Sequence, residues 1–428
     1  MNKSFITVFS SIQWLLFIFA NTVVVPISIA TIFEIPSETV SMMMRSSLIF
    51  TGLACIFQGW VGHKFPLMEG HSGLLWGVIL NLGLSASSFG MELETIGGGI
   101  VTGVLLACFV TLMLVIFNKI SILQAIFSPM VMSVYLFLLT FQLILIFFKG
   151  MLKINEDGTI DLGVSLLSVG TILLVSILKI KGNKLVSNFS ILIGMAIGWF
   201  VYELLFHVET SVVSSSGAGG FSFFPLGVPN LEWGIIAVSF IAVMLNLSNT
   251  FASINAAKQI IHREASNQQY RQSIFITSIA TIAGTGFGLV SYTPFTSSVG
   301  FLQSTRILER KPFMLGGGLL TIFGLIPVFG TFLSTMPITI GNAVLFVAYL
   351  QLFGTAYSSL NGKMFNSNTI FRIAAPILIG VCLMNVAPEV FANLPIYIQP
   401  FLTNGLIMGM LISIVLEQLV KWENYEGT

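Results

Sequence analysis

Long apolar runs separated by short polar breaks make up almost the whole chain, and two of the breaks differ from the rest. Runs near 9–32, 38–62, 93–117, 122–148, 160–180, 186–206, 231–257, 271–289, 312–333, 338–358, 368–387 and 398–420 are each long enough for a membrane-crossing helix, which needs about 20 residues. Between them lie GHKFPLMEGHSGLLWG (Gly62–Gly77) and GTGFGLVSYTPFTSSVGFLQSTR (Gly284–Arg306). Both are too short and too rich in Gly, Ser, Thr and Pro for an ordinary spanning helix. Non-helical backbone at membrane depth persists only where protein buries it or where it lines a wet cavity. Read as short crossings near 68–86 and 291–305, broken by extended stretches, they bring twelve segments to fourteen. The pattern predicts an all-α integral membrane protein. A pair of interrupted segments at corresponding places in two halves is also the sequence mark of a transporter's central binding site.

The placement of charge fits this topology. With the N-terminus inside and fourteen crossings, fifteen basic residues fall on the cytoplasmic side: Lys3, Lys64, Lys119, Lys179, Lys181, Lys184, Lys258, Arg263, Arg271, Arg306, Arg310, Lys311, Lys363, Arg372 and Lys421. Lys149 and Lys153 fall outside, and Arg45 lies within a span. This is the positive-inside distribution. Seven segments (1–206) precede the outer loop 207–230 and seven (231–428) follow it, and an odd number per half inverts the second repeat. The expectation is a 7+7 inverted repeat whose segments 3 and 10 are the broken ones. An offset of 228 carries Asn21-Thr22 onto Asn249-Thr250, Glu69 onto Ser297 and Ser72 onto Gly300.

Composition narrows the function. The 428 residues are 55% hydrophobic and 8% charged, against about 25% charged in soluble domains, and mean hydropathy is +0.95. A net charge of +1 gives no polyanion-binding surface, so nucleic acid is not a partner. Cys55, Cys108 and Cys382 are scattered in apolar runs without metal spacing and read as packing residues. The apolar N-terminal stretch exceeds a signal-peptide core, so it reads as a retained first helix. No P-loop, HExxH or CxxC is present, and every loop is short. The chain therefore carries no metal site, no catalytic constellation and no ATP-driven pump.

The residues themselves resemble a known family. QWLLFIFANTVVVP (Gln13–Pro26) resembles the first helix of the nucleobase–ascorbate transporters (nucleobase–cation symporter-2), which include uracil:proton symporters and xanthine permeases. KFPLMEGHSGLLWG resembles their third segment, and NAAKQI (255–260) the end of their eighth helix. SSVGFLQSTR (297–306) resembles their signature, with Gly300, Thr305 and Arg306 matching. The family's eighth-helix carboxylate falls here on Leu245 or Asn246. Its His one turn further on falls on Asn249, and the acid and Asn that open the signature fall on Ser297 and Ser298. The resemblance implies a core domain of segments 1–4 and 8–11, a gate domain of segments 5–7 and 12–14, and a homodimer through the gate.

The expected substrate-binding residues are Gln13, Ser72, Gly73, Asn246, Asn249, Phe295, Ser297 and Ser298. The broken segments offer backbone N–H groups and short-helix N-termini to base carbonyls. Asn246 and Asn249 share one helix face and offer both donors and acceptors. An ionisable residue inside a membrane is a functional candidate by default, which makes Glu69 and His71 the proton-coupling candidates. The expectation is a secondary transporter that imports a purine or pyrimidine base across the bacterial inner (plasma) membrane, with both termini cytoplasmic. It needs no cofactor beyond a co-transported cation, H⁺ in preference to Na⁺. The alternatives are an anion transporter of the sulfate/bicarbonate type and a passive channel.

Overall fold

The computed structural model describes residues 3–120, 128–155, 157–206, 222–358, 360, 366–420 and 422. Part of the span expected at 122–148 and most of the loop 207–230 lie outside them. Among the described residues the fold is helical, with a single two-stranded sheet. Seven stretches are long and apolar enough to cross a membrane: Ile6–Ile32, which joins α1 (Lys3–Thr22) to α2 (Val24–Ile32), then α3 (Ser37–Trp60), α5 (Leu93–Ile116), α6 (Pro129–Met151), α7 (Leu162–Lys181), α9 (Trp233–Ile261) and α15 (Ser367–Met384). Taken across their 87° bend, α12 (Arg310–Leu325) and α13 (Pro327–Ser334) form an eighth. Shorter apolar helices are α4 (Gly73–Leu84), α8 (Ser190–Leu205), α14 (Ile338–Ser358) and α16 (Gly405–Leu419).

Two elements follow a different pattern. In α10 (Asn267–Gly286), Gln269, Ser273, Thr277, Thr281 and Thr285 recur at every fourth position and all are buried. A helix with that spacing turns one polar stripe toward its neighbours. Ser266 starts it with a capping box, its hydroxyl accepting the Gln269 N–H while the Gln269 side chain accepts the Ser266 N–H. The other is α11 (Ser297–Thr305), which follows the strand β2 (Tyr292–Pro294) as α4 follows β1 (Glu69–His71).

The chain divides into two compact units. The first holds 1–72, 146–225 and 249–348, hence α1–α3, β1, α7, α8, the second half of α9, α10, β2 and α11–α13. In it α3 and α12 meet backbone to backbone: a Cβ at Gly52 would run into the Gly317 carbonyl and the Thr321 hydroxyl. α1 lies on α12 at Gly316, where a Cβ would fall 2.7 Å from Trp14 Cβ. Small residues permit such approach where hydrocarbon gives no hydrophobic drive between helices. Trp14, Phe17, Phe301 and Phe313 fill the adjoining space with ring centroids 4.6–5.7 Å apart.

The second unit holds 73–145, 226–248 and 349–428. Its α15 and α16 cross at Gly380 and Gly405, where a Cβ on either would strike the other's carbonyl. Arg372 and Glu417 join the same helices through two hydrogen bonds, at 2.8 and 2.7 Å.

The strands pair antiparallel, with Glu69 opposite Pro294, Gly70 opposite Thr293 and His71 opposite Tyr292. Strand starts differ by 292 − 69 = 223 residues, so the offset of 228 does not hold through these segments. The connections account for three of the five residues. Eight residues separate α3 (ending at Trp60) from β1, and five separate α10 (ending at Gly286) from β2.

Candidate functional site

In an antiparallel ladder, directly opposed residues share a face and alternate residues change face. Glu69, His71, Tyr292 and Pro294 therefore lie on one side of the sheet. Gly70 and Thr293 lie on the other, continued by Ser72 and Ser291. All three residues of each strand are buried.

The first face is a closed polar network. Thr277 donates its hydroxyl to Glu69 Oε1 at 2.6 Å, and Gln58 Nε2 donates to Glu69 Oε2 at 3.1 Å. The Cys55 thiol brackets the Glu69 backbone, accepting from its N–H at 3.3 Å and donating to its carbonyl at 3.5 Å. Among the described residues no cation pairs with Glu69. His71 Nδ1 lies 3.3 Å from the Val290 carbonyl, and Nε2 lies 2.7 Å from Ser47 Oγ. A carbonyl only accepts, so Nδ1 carries a hydrogen and Ser47 donates to Nε2 of the neutral ring. Both nitrogens of His71 are thus used in holding β1.

The second face carries two orphaned hydroxyls. The hydroxyls of Ser291 and Thr293 are buried and meet no partner among the described residues. Buried polar groups are normally hydrogen-bonded, so two such hydroxyls on alternate residues of one strand mark a surface built for a ligand or water.

The other expected residues sit around this sheet. The Ser72 N–H donates to the Ser291 carbonyl at 2.7 Å, and the Phe295 N–H donates to the Met68 carbonyl at 2.8 Å. Ser298, fully buried, accepts the Met68 N–H on its hydroxyl at 3.0 Å. Ser297, at the start of α11, is exposed. Helix α9 reaches β2 through Ser253, whose hydroxyl lies 2.9 Å from both the Pro294 carbonyl and Thr296 Oγ1. Asn249 lies one turn earlier on that helix, buried and engaged within the protein. Gln13 is half-buried on α1. Thus Glu69, His71, Ser72, Phe295 and Ser298 are drawn together at the sheet, while Gln13 and Ser297 make no hydrogen bond to it among the described residues. Gly73 and Asn246 belong to the second unit. There a Cβ at Gly73 would meet Leu143 at 3.5 Å and Tyr349 at 3.7 Å, ordinary van der Waals contacts.

Sequence reasoning missed Gln58, Thr277, Ser291 and Thr293. The four-residue polar period of α10 was the available signal for Thr277. Gln58, a lone amide near the end of an apolar helix, carried no comparable signal.

Residues 5–389 match the Xan_ur_permease group, a permease family. A putative purine permease of Bacillus subtilis, YwdJ, is 28% identical over 97% of this chain and 96% of its own length. The uric acid permease PucJ of the same organism is 25% identical over 97% and 93%. Among solved structures, the transmembrane domain of the cyanobacterial bicarbonate transporter BicA superposes with a TM-score of 0.61 over 95% of this chain and 97% of that one, at 13% identity. At that identity the likeness shows the fold alone, an all-α membrane fold. Family membership makes the chain a transporter and not an enzyme: it belongs to the xanthine/uracil permease family, the nucleobase transporters that its first helix and tenth segment resemble.

Proposed function

We propose that this protein imports a purine base across the plasma membrane by proton symport. The observation that carries the reading is the pair of hydroxyls on one face of β2, Ser291 and Thr293, buried and unpartnered among the described residues. A hydroxyl both donates and accepts, which suits a planar ring bearing N–H donors beside carbonyl and ring-nitrogen acceptors. Ser72 and Ser297, together with Gln13 and Asn249, are the further contacts proposed from the first unit, and Phe295 is the stacking ring. Ser298 acts as a brace for β1. The relatives, a putative purine permease and a uric acid permease, favour a purine over a pyrimidine. The cytoplasmic bias of Lys and Arg supports cytoplasmic termini. The core and gate domains and a gate-mediated homodimer complete the proposal.

The test is thermal stabilisation of the purified protein by uric acid, xanthine, hypoxanthine, guanine, adenine, uracil, sulfate and bicarbonate. A ligand at 100 times its dissociation constant stabilises the native state by about 2.7 kcal/mol. Stabilisation by a purine is expected, and Ser291→Ala with Thr293→Val should weaken it. Stabilisation by uracil alone moves the substrate to the pyrimidines, and stabilisation by anions alone overturns the reading.

A further inference from the structure

We infer that Glu69 carries the coupled proton, and that Gln58 and Thr277 form the two-position relay that reads its protonation; the inference rests on the purine–proton symport reading above. The carboxyl is fully buried. A buried charge without a cation partner is expensive unless hydrogen bonds or a change of protonation relieve it. Glu69 has the first kind of relief and is built for the second.

The geometry is over-subscribed. Gln58 Nε2 has two hydrogens but three acceptors at 3.1 Å: Glu69 Oε2, the Ser273 carbonyl and Thr277 Oγ1. Thr277 holds the single hydroxyl hydrogen directed at Glu69 Oε1. With Glu69 ionised, both donors serve it. With a proton on Oε1, the carboxyl must itself donate, to Thr277 Oγ1. The Thr277 hydrogen then has to turn away, and its natural acceptor is the carbonyl four residues back, the usual bond of a helical threonine. That carbonyl belongs to Ser273, one of the three acceptors that crowd Gln58. One proton on Glu69 therefore forces a choice at Gln58, through a network that has two satisfied arrangements.

Gln58 passes that choice on. Its Oε1 accepts the His63 N–H at 3.4 Å, and the His63 carbonyl accepts from Gln269 Nε2 at 2.6 Å, in the first turn of α10. On the other side, the residue before Glu69 ties β1 to the start of α11 through Ser298. The proton thus sits between the turn after α3 and the short helix beside the proposed substrate face. The other titratable groups packed against it are Cys55 of α3, His71 of β1 and Tyr292 of β2. None is a cation in the described network, and Arg271 of α10 lies six residues from Thr277, past a full turn. In each cycle a proton from the outer side bonds to a carboxylate oxygen, and it leaves to water on the inner side with the base.

Glu69→Gln in lipid nanodiscs and in proteoliposomes tests this. Wild type should show a protonated-carboxyl infrared band that titrates with pH and is missing in E69Q, a readout that needs no substrate. Wild type in liposomes should accumulate radiolabelled purine about tenfold per pH unit of imposed gradient, for one proton per base. E69Q should lose this accumulation, falling to the level reached without a gradient, yet keep purine counterflow that no longer varies with pH. Thr277→Val should retain counterflow and move its pH midpoint upward, since it removes a donor to the carboxylate. The inference is overturned if the band persists in E69Q, if E69Q accumulates purine with the wild-type pH profile, or if E69Q loses counterflow together with accumulation. A wild type that titrates the band but moves no purine retires the substrate reading and leaves Glu69 as the proton site.

Discussion

Ser297 and Ser298 are neighbours with the same side chain, and the structure gives them opposite roles. Ser298 is fully buried and its hydroxyl accepts the N–H of Met68, itself fully buried, at 3.0 Å. Ser298→Ala leaves that backbone donor without a partner in a site closed to water. An orphaned buried donor costs about 1–3 kcal/mol, more than the bond itself contributes. Methyl for hydroxymethyl removes almost no packing, so the loss should come from the hydrogen bond alone. Ser297 is exposed, and Ser297→Ala should stay within about 0.5 kcal/mol of wild type. The assay is reversible unfolding in mixed SDS–lipid micelles, followed by tryptophan fluorescence. Ser298→Thr, which keeps the acceptor, should recover most of the loss. If Ser298→Ala also stays within about 0.5 kcal/mol, β1 is not braced by α11 and the account of the junction is wrong. The same pair separates function from scaffold: Ser297→Ala should weaken purine binding at unchanged stability.

Other outcomes follow from the same structure. Ser291→Ala and Thr293→Val should leave unfolding unchanged or slightly improved, because each removes a buried unsatisfied hydroxyl; a loss above about 1 kcal/mol in the same assay would show that these groups have partners. Arg372→Leu should destabilise by about 3–5 kcal/mol by stranding Glu417, while Arg372→Leu with Glu417→Leu should recover much of it; a double variant no better than the single refutes the buried pair. Burial pushes the His63 imidazole, in the turn after α3, down from 6.5 to about 3. The unfolded chain then binds more protons than the native one between those values. Stability should hold above about pH 6.5 and fall toward pH 3, with a shallower fall in His63→Gln; parallel curves would contradict it. Gly52→Val should cripple folding, since its Cβ would meet the Gly317 carbonyl of α12, and wild-type expression of that variant would refute the close crossing.

Much of the fold was legible because membrane sequence is strongly constrained. Span ends such as 338–358 coincide with α14, and 93–117 with α5 to within a residue, since length and hydropathy leave little freedom. The polar breaks at 62–77 and 284–306 contain both strands, since clustered Gly, Ser, Thr and Pro interrupt the apolar run there. The pairing of those strands was not readable: three residues each, 223 apart in sequence, they carry no alternation long enough to set a register. The 228 offset misaligned Glu69 with Ser297 because the spacing of elements before the two strands differs. Glu69 stood out as an acid in an apolar setting. Its partners Gln58 and Thr277 did not, since a neutral amide and a hydroxyl 219 residues apart acquire meaning only when α3 and α10 bring them to one carboxyl. Ser291 and Thr293 are two of several hydroxyl residues in the second break, and only burial without partners distinguishes them.

The most direct test of the account is counterflow in proteoliposomes preloaded with unlabelled xanthine or uric acid, with radiolabelled purine outside. The account predicts transient accumulation of label that excess purine abolishes, that bicarbonate and sulfate leave unchanged, and that falls in Ser291→Ala/Thr293→Val. Label that equilibrates without overshoot, or overshoot driven by anions and indifferent to purines, would contradict it.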